Sequence, residues 1–255
     1  MSTIKEKDDT RRAILAAAKT EFADKGFSGA RMSTIAKTAN ANQALIHYYF
    51  CSKENLYKEV LDSLFGPENQ TVDTSITPQW NLTTPQKLYV LIYFVIQLNT
   101  HAVDHEGHRI FIWEIAEGRK FLRPFIEKFM VPRISYSIKL IEKGIEEGYF
   151  STASPFLSVT NLMMTINGYQ NSKTLFKDTP FEKYYTNTDY ENIFASHCME
   201  LIFKSLAPDG KPAVIPSIPA ELKFFIEDLV RRIAQNKDSE FSCDIANQFF
   251  SLIQP

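Results

Sequence analysis

The stretch "ANANQALIHYYFCSKENLY", residues 39–57, decides how the rest of the chain is read. Gln43, His47, Tyr48, Tyr49 and Phe50 fall on about two turns of helix, and Ser52-Lys53-Glu54 opens another helix at once. Upstream, Ile14, Leu15, Ala18 and Phe22 recur at helical spacing over about Thr10–Lys25, and Gly26 can supply the left-handed residue that ends such a helix. A short helix follows over about Met32–Ala39, then the break "NANQ", then a helix over Gln43–Phe50. Ser52 is placed to cap a fourth helix through about Phe65. Two short helices joined by a tight turn and followed by a long one make a helix-turn-helix, whose second helix can enter a DNA major groove.

Within that motif each residue type has a use. Asn40 suits the turn because Asn takes the left-handed conformation more readily than other non-glycine residues. Asn42 can cap the third helix. Gln43, Ala44, His47 and Tyr48 then face outward, while Ile46 and Phe50 point back to Ile35, Phe22 and Ile14. Gln43 carries the bidentate amide suited to adenine, Ala44 the small apolar contact for a thymine methyl, and His47 and the tyrosine hydroxyls reach bases or phosphates.

The run "GFSGARMSTIAKTANANQALIHYYFCSKENLY" resembles the DNA-binding domain of the TetR (tetracycline repressor) family of bacterial transcription regulators. The combination of "IA", a turn, "YYF" and "SKENLY" carries the resemblance over about residues 10–60. It implies that Gln43, Ala44, His47 and Tyr48 touch operator DNA, that Tyr49 meets the backbone, that Ser33 on the second helix contacts DNA, and that Lys53 binds phosphate at a helix N-terminus. Arg31 stands where the family usually has a capping Ser or Thr; it can reach phosphate but cannot cap. Asn40 replaces the usual turn glycine, and Cys51 takes a turn position usually held by Lys, Pro, Gly or Asn. The expected DNA-binding set is Arg31, Ser33, Asn42, Gln43, Ala44, His47, Tyr48, Tyr49 and Lys53.

The totals fit a reading of this kind. The chain has 255 residues, 44% of them hydrophobic, enough for a substantial core. Its net charge of −2 divides into +3 over residues 1–60 and −5 over the remainder, which places the polyanion-facing end first. Cys51, Cys198 and Cys243 are odd in number and form no CxxC pair, so neither a disulfide framework nor a zinc knuckle is indicated. Arg11-Arg12 precedes "AILAAA", but Lys19 and Glu21 cut that apolar run short, so no export signal is read and a cytoplasmic location is expected. The longest apolar run, Leu88–Ile96, falls far below the roughly 20 residues of a membrane span and reads as a buried helix.

The expected architecture is all-α: a helix-turn-helix domain over residues 1–65, a helical effector-binding and dimerisation domain over 66–206, and a two-helix extension over 207–255. Helices are expected near 85–104, 108–119, 122–147, 155–172 and 189–206, with Pro132 splitting the third and Gly148 ending it. Leu222, Phe225, Ile226, Leu229, Val230 and Ile233 form an apolar stripe that must cover something, and Ile245, Phe249 and Leu252 suggest a last short helix.

By resemblance, the second domain encloses an effector cavity, and the helices near 155–172 and 189–206 pair with their mates in a homodimer. An aromatic lining suits a lipophilic or aromatic effector. The expected lining is Tyr93, Phe94, Trp113, Phe129, Tyr136, Met163 and Phe176, with His101 and Asn167 as polar partners. His101, Asp104, His105 and His108 read as a polar helix end rather than a metal site, and no cofactor is expected. No nucleophile–base pair, phosphate loop or carboxylate dyad stands out. The function read is therefore a ligand-responsive repressor that binds a pseudo-palindromic duplex as a homodimer. A regulator without an effector is the near alternative, and a helical enzyme the distant one.

Overall fold

A computed structural model of the chain describes residues 2–65, 80–101 and 104–235, and every regular element among them is helical. These residues divide into two compact units, and the division does not follow the chain. Residues up to 65 join with 104–130 to form the first, while 80–101 and 131–235 form the second.

The first unit contains α1 (Ser2–Gly29), α2 (Met32–Thr38), α3 (Gln43–Phe50), α4 (Lys53–Phe65), α6 (His105–Ala116) and the single turn α7 (Arg123–Phe125). A π turn over Ile126–Met130 follows α7, just before Pro132, whose nitrogen has no hydrogen to offer the carbonyl four residues back. Gly26 breaks α1 with φ 65 and ψ 178, a conformation that costs a residue without Cβ nothing. The core is made by Ile14, Ala18 and Phe22 of α1, Ile35 of α2, Ile46 and Phe50 of α3, and Leu56, Tyr57, Val60 and Leu61 of α4. Ile110 of α6 and Phe121, Leu122 and Phe125 complete it.

The compact units thus divide the chain differently from the expected bounds at 1–65 and 66–206, with 104–130 in the first unit. Asp104 is not the end of the preceding helix. It caps α6, accepting from the Gly107 N–H at 3.0 Å, and receives the Lys19 ammonium at 2.5 Å. Gly107 lies within the first turn of α6 and does not break it.

The second unit is built on α5 (Thr84–His101), whose apolar run leaves it buried on most sides. Against α5 pack α8 (Val131–Glu146), α9 (Pro155–Leu175), α11 (Thr188–Ser205) and α12 (Ala220–Gln235), with the short α10 (Lys183–Thr186) beside α9 and α11. Gly148 has φ 76 and lies just past the end of α8. On α12, Leu222, Ile226, Leu229 and Val230 are buried, Phe225 and Ile233 pack against the same core, and Phe224 stays exposed. The first helix of the expected extension thus belongs to the second unit. The expected helix around Ile245, Phe249 and Leu252, like Cys243, lies outside the described residues.

Candidate nucleic-acid interface

The second helix of the motif is set by its ends. Asn42, in extended conformation, accepts the Leu45 N–H through its side chain at 2.7 Å, satisfying an orphan donor of α3. Asn40 takes φ 50 and reverses the chain between α2 and α3. At the other end Cys51 takes φ 62, and Ser52 Oγ accepts the Asn55 N–H at 3.1 Å to start α4. Held in that frame, Ile46 is fully buried and Phe50 nearly so, while Gln43, Ala44, His47 and Tyr48 are exposed. Tyr48 is 68% exposed, far more than a large aromatic needs unless something covers it, and its ring stands edge-on to half-buried Tyr49. Ser33, in the first turn of α2, is also exposed.

Arg31 precedes α2 without capping it through its side chain. Its own N–H is taken by Glu21 Oε1 at 3.0 Å, so a carboxylate of α1 supports the start of α2. That role had no sequence signal, because Glu21 and Arg31 lie on different elements. Lys53 does not simply extend into solvent. Its ammonium donates to the Ala30 carbonyl at 2.6 Å and sits 4.9 Å from the centre of the Phe27 ring. Partial burial lowers the Lys53 pKa, against the upward pull of Glu117 and Glu21. The ammonium has three donors, so one bond to Ala30 leaves others for a phosphate.

Residues 14–60, from Ile14 on α1 to Val60 on α4, match the model of the bacterial regulatory proteins, tetR family. This segment matches the DNA-binding part of TetR-family regulators. The uncharacterized HTH-type regulator YhgD of Bacillus subtilis is 26% identical over 59% of this chain and 76% of its own length. The repressor NicS of Pseudomonas putida is 43% identical over 25% of this chain and 30% of its own length. The repressor KstR2 of Mycolicibacterium smegmatis is 26% identical over 55% of this chain and 67% of its own length. Among solved structures, a HlyIIR mutant aligns with a TM-score of 0.53 at 21% identity, covering 80% of this chain and all of that one. A transcriptional regulator from Saccharomonospora viridis, in complex with choline, aligns with a TM-score of 0.52 at 18% identity, covering 79% of this chain and 99% of that one. The names of these relatives are those of HTH-type transcriptional regulators and repressors, and the chain is a DNA-binding transcriptional regulator. No described helix is long and apolar enough to cross a membrane.

The residues expected to bind an effector are divided between the two units. Trp113 belongs to the DNA-binding unit: its indole N–H donates to the Ala23 carbonyl at 3.2 Å, and its ring fills the space a Cβ on Gly26 would need. Phe129 falls in the same unit, and its side chain lies outside the described residues. Phe94 is sealed in the second core. Tyr93 is buried there too, with its hydroxyl donating to Glu227 Oε1 of α12 at 2.7 Å; burial first, and then that bond, push its pKa up. His101 is exposed at the end of α5, with Nδ1 3.7 Å from Glu191, whose other oxygen holds Lys173 at 3.1 Å. Phe176 ends α9 and stacks on Tyr185, in a local aromatic group with Phe181. Tyr136, Met163 and Asn167 are half-buried on α8 and α9, and burial raises the Tyr136 phenol to about 12.

A different opening exists in the second unit, of about 600 Å³. Phe150, Phe203 and Leu206 form its floor, and the segment carrying Val214, Ile215 and Pro216 forms one wall. None of the residues expected to bind an effector lines it. It depends on the path of the chain from 207 to 219, where Gln86 Nε2 donates to the Ser217 carbonyl at 2.8 Å.

Proposed function

We propose that the chain acts as a homodimeric repressor that reads a pseudo-palindromic operator through Gln43, Ala44, His47 and Tyr48. The observation that carries this reading is the division of α3 into a buried side, Ile46 and Phe50, and a fully presented one. Arg31, Ser33, Tyr49 and Lys53 are proposed as backbone contacts, with Asn42 at the helix start. Two-fold pairing is supported by large apolar side chains exposed on α9 and α11: Phe156, Leu157, Met164 and Leu175, with Ile193 and Leu201. Identical recognition helices related by a two-fold axis read inverted half-sites. Footprinting on duplexes selected by the protein from a random pool is expected to protect an inverted repeat; scattered, sequence-independent protection would sink the reading. Gln43→Ala is expected to relax the preference at one position, at a cost of about 1 to 3 kcal/mol on the selected site. The check is a competition titration against single-base variants of that site.

The proposed effector is a small lipophilic or aromatic molecule bound within the second unit. Tyr136, Met163 and Asn167 are the retained candidates, since they are half-buried where α8 and α9 pack with α5. The opening beneath residues 211–217 favours a second location, because its size suits a small molecule and its floor is aromatic. Bound effector would lower DNA affinity by as much as it prefers the non-binding conformation. A compound screen by thermal shift and DNA release tests this. Met163→Trp and Phe203→Ala, each in the full chain, tell the two locations apart.

A further inference from the structure

We propose that Glu114 is a positioning residue for operator binding, which rests on the reading of Lys53 as a contact to the DNA backbone. Glu114 is 2% exposed, and its carboxyl group accepts the N–H groups of Phe121 and Leu122 through one oxygen, at 3.0 Å each. These two bonds add to a reversal whose own backbone bonds, the Arg119 N–H to the Glu114 carbonyl at 2.6 Å and the Gly118 N–H to the Ile115 carbonyl at 3.4 Å, stop short of Phe121 and Leu122. Gly118 and Arg119 follow α6 with φ 89 and φ 61, and the second of these is unfavourable for a residue with a side chain. A buried carboxyl without donors is strongly disfavoured, so the two N–H groups and the carboxyl fix one another.

What the reversal delivers is the Phe121 ring. It lies 4.7 Å from Phe27 and 5.3 Å from Tyr57, centre to centre, and closes the aromatic side of the first core. Phe27 in turn presents its face to the Lys53 ammonium, and that ammonium donates to Ala30, the residue before Arg31. A packed file thus runs from Glu114 through Phe121 and Phe27 to Lys53, entirely within the first unit. Without the acceptor, Phe121 is free to withdraw, Phe27 loses its backing, and the Lys53 ammonium loses the surface that aims it.

Binding to a duplex selected by the wild-type protein from a random pool, measured from roughly 50 to 200 mM salt, tests the proposal. Glu114→Ala is expected to weaken binding about tenfold and to make the salt dependence shallower by about one unit, the signature of one lost phosphate contact. Glu114→Gln is expected to restore both, because an amide oxygen still accepts the two N–H groups. In a Lys53→Ala background Glu114→Ala is expected to change nothing further. An equal loss in both backgrounds would mark a general structural effect and overturn the proposal, as would unchanged affinity and slope in Glu114→Ala alone. Lys53→Ala by itself judges the underlying reading: an unchanged slope there removes Lys53 from the interface and the route through it. Should Glu114→Ala fail to melt cooperatively, Phe121→Leu keeps apolar volume and removes the ring; it is expected to show the same shallower slope, and a wild-type slope overturns the proposal.

Discussion

A chain ended after Ala207 is expected to lose the cooperative melting of its second unit and to bind a hydrophobic dye strongly. The reason is the amount of core that α12 supplies. Leu222, Ile226, Leu229 and Val230 are all at most 4% exposed and pack into the cluster built on α5. At about 1.5 to 3 kcal/mol for each fully buried side chain, the four contribute roughly 6 to 12 kcal/mol as an upper bound. That is comparable with the whole stability of an ordinary domain, about 5 to 15 kcal/mol. Removal also strips Glu227 from the Tyr93 hydroxyl and uncovers apolar length along α5. A thermal melt and dye titration of the truncated and full chains make the comparison. A truncated chain with unchanged melting and no dye uptake would mean that α12 is an appendage. The single substitution Ile226→Ala gives a graded version, with an expected loss of about 2 to 5 kcal/mol.

The second large effect is expected from Phe22→Ala, which should cost about 3 to 5 kcal/mol and remove operator binding with it. Phe22 is fully buried at the centre of the first core. Its ring meets Tyr57 edge-on at 4.6 Å and lies 6.4 Å from Phe27, so truncation opens a cavity beneath α3 and α4 together. Because α3 owes its orientation to Ile46 and Phe50 packing on that core, loss of the core takes the presented face with it. Chemical denaturation followed by the fluorescence of Trp113, which belongs to this unit, in a Trp80→Phe background reports the change directly. A denaturation midpoint equivalent to less than about 0.5 kcal/mol of loss would show a core that collapses around the missing ring.

The motif was legible because what determines it is local. Asn42 and Ser52 cap successive helices, Asn40 makes the turn, and the bounds Gln43–Phe50 follow from those three residues. The stripe on α12 was equally legible as a face that must be covered, since helical spacing is written in the chain itself. What covers a face is not. Trp113 and Phe129 look, as residues, like any other aromatics of a ligand cavity; only contacts with residues some ninety positions earlier assign Trp113 to the DNA-binding unit. Glu21 and Glu114 were missed for a related reason. Each is a carboxylate whose donors are backbone N–H groups of another segment, and backbone groups leave no trace in the residue pattern. The split expected at Pro132 within 122–147 was legible too: a π turn over Ile126–Met130 precedes α8, which starts at Val131 and carries Pro132 in its first turn.

The discontinuity of the first unit also bears on how the chain is made. By the time Phe65 has been synthesised, α1 to α4 exist, but Ile110, Phe121, Leu122 and Phe125 do not. At roughly 5 to 20 residues per second, a ribosome needs roughly 3 to 13 s to reach residue 130. During that interval Phe27 and Tyr57 lack the ring that later closes over them, and the α1 surface destined for α6 stays wet. The nascent head is then a sticky, unfinished three-sided core, and α5, one of the most apolar helices in the chain, emerges beside it in the same window. A chaperone that holds apolar segments has its natural moment of engagement there, between residues 65 and 130, rather than at either end of synthesis.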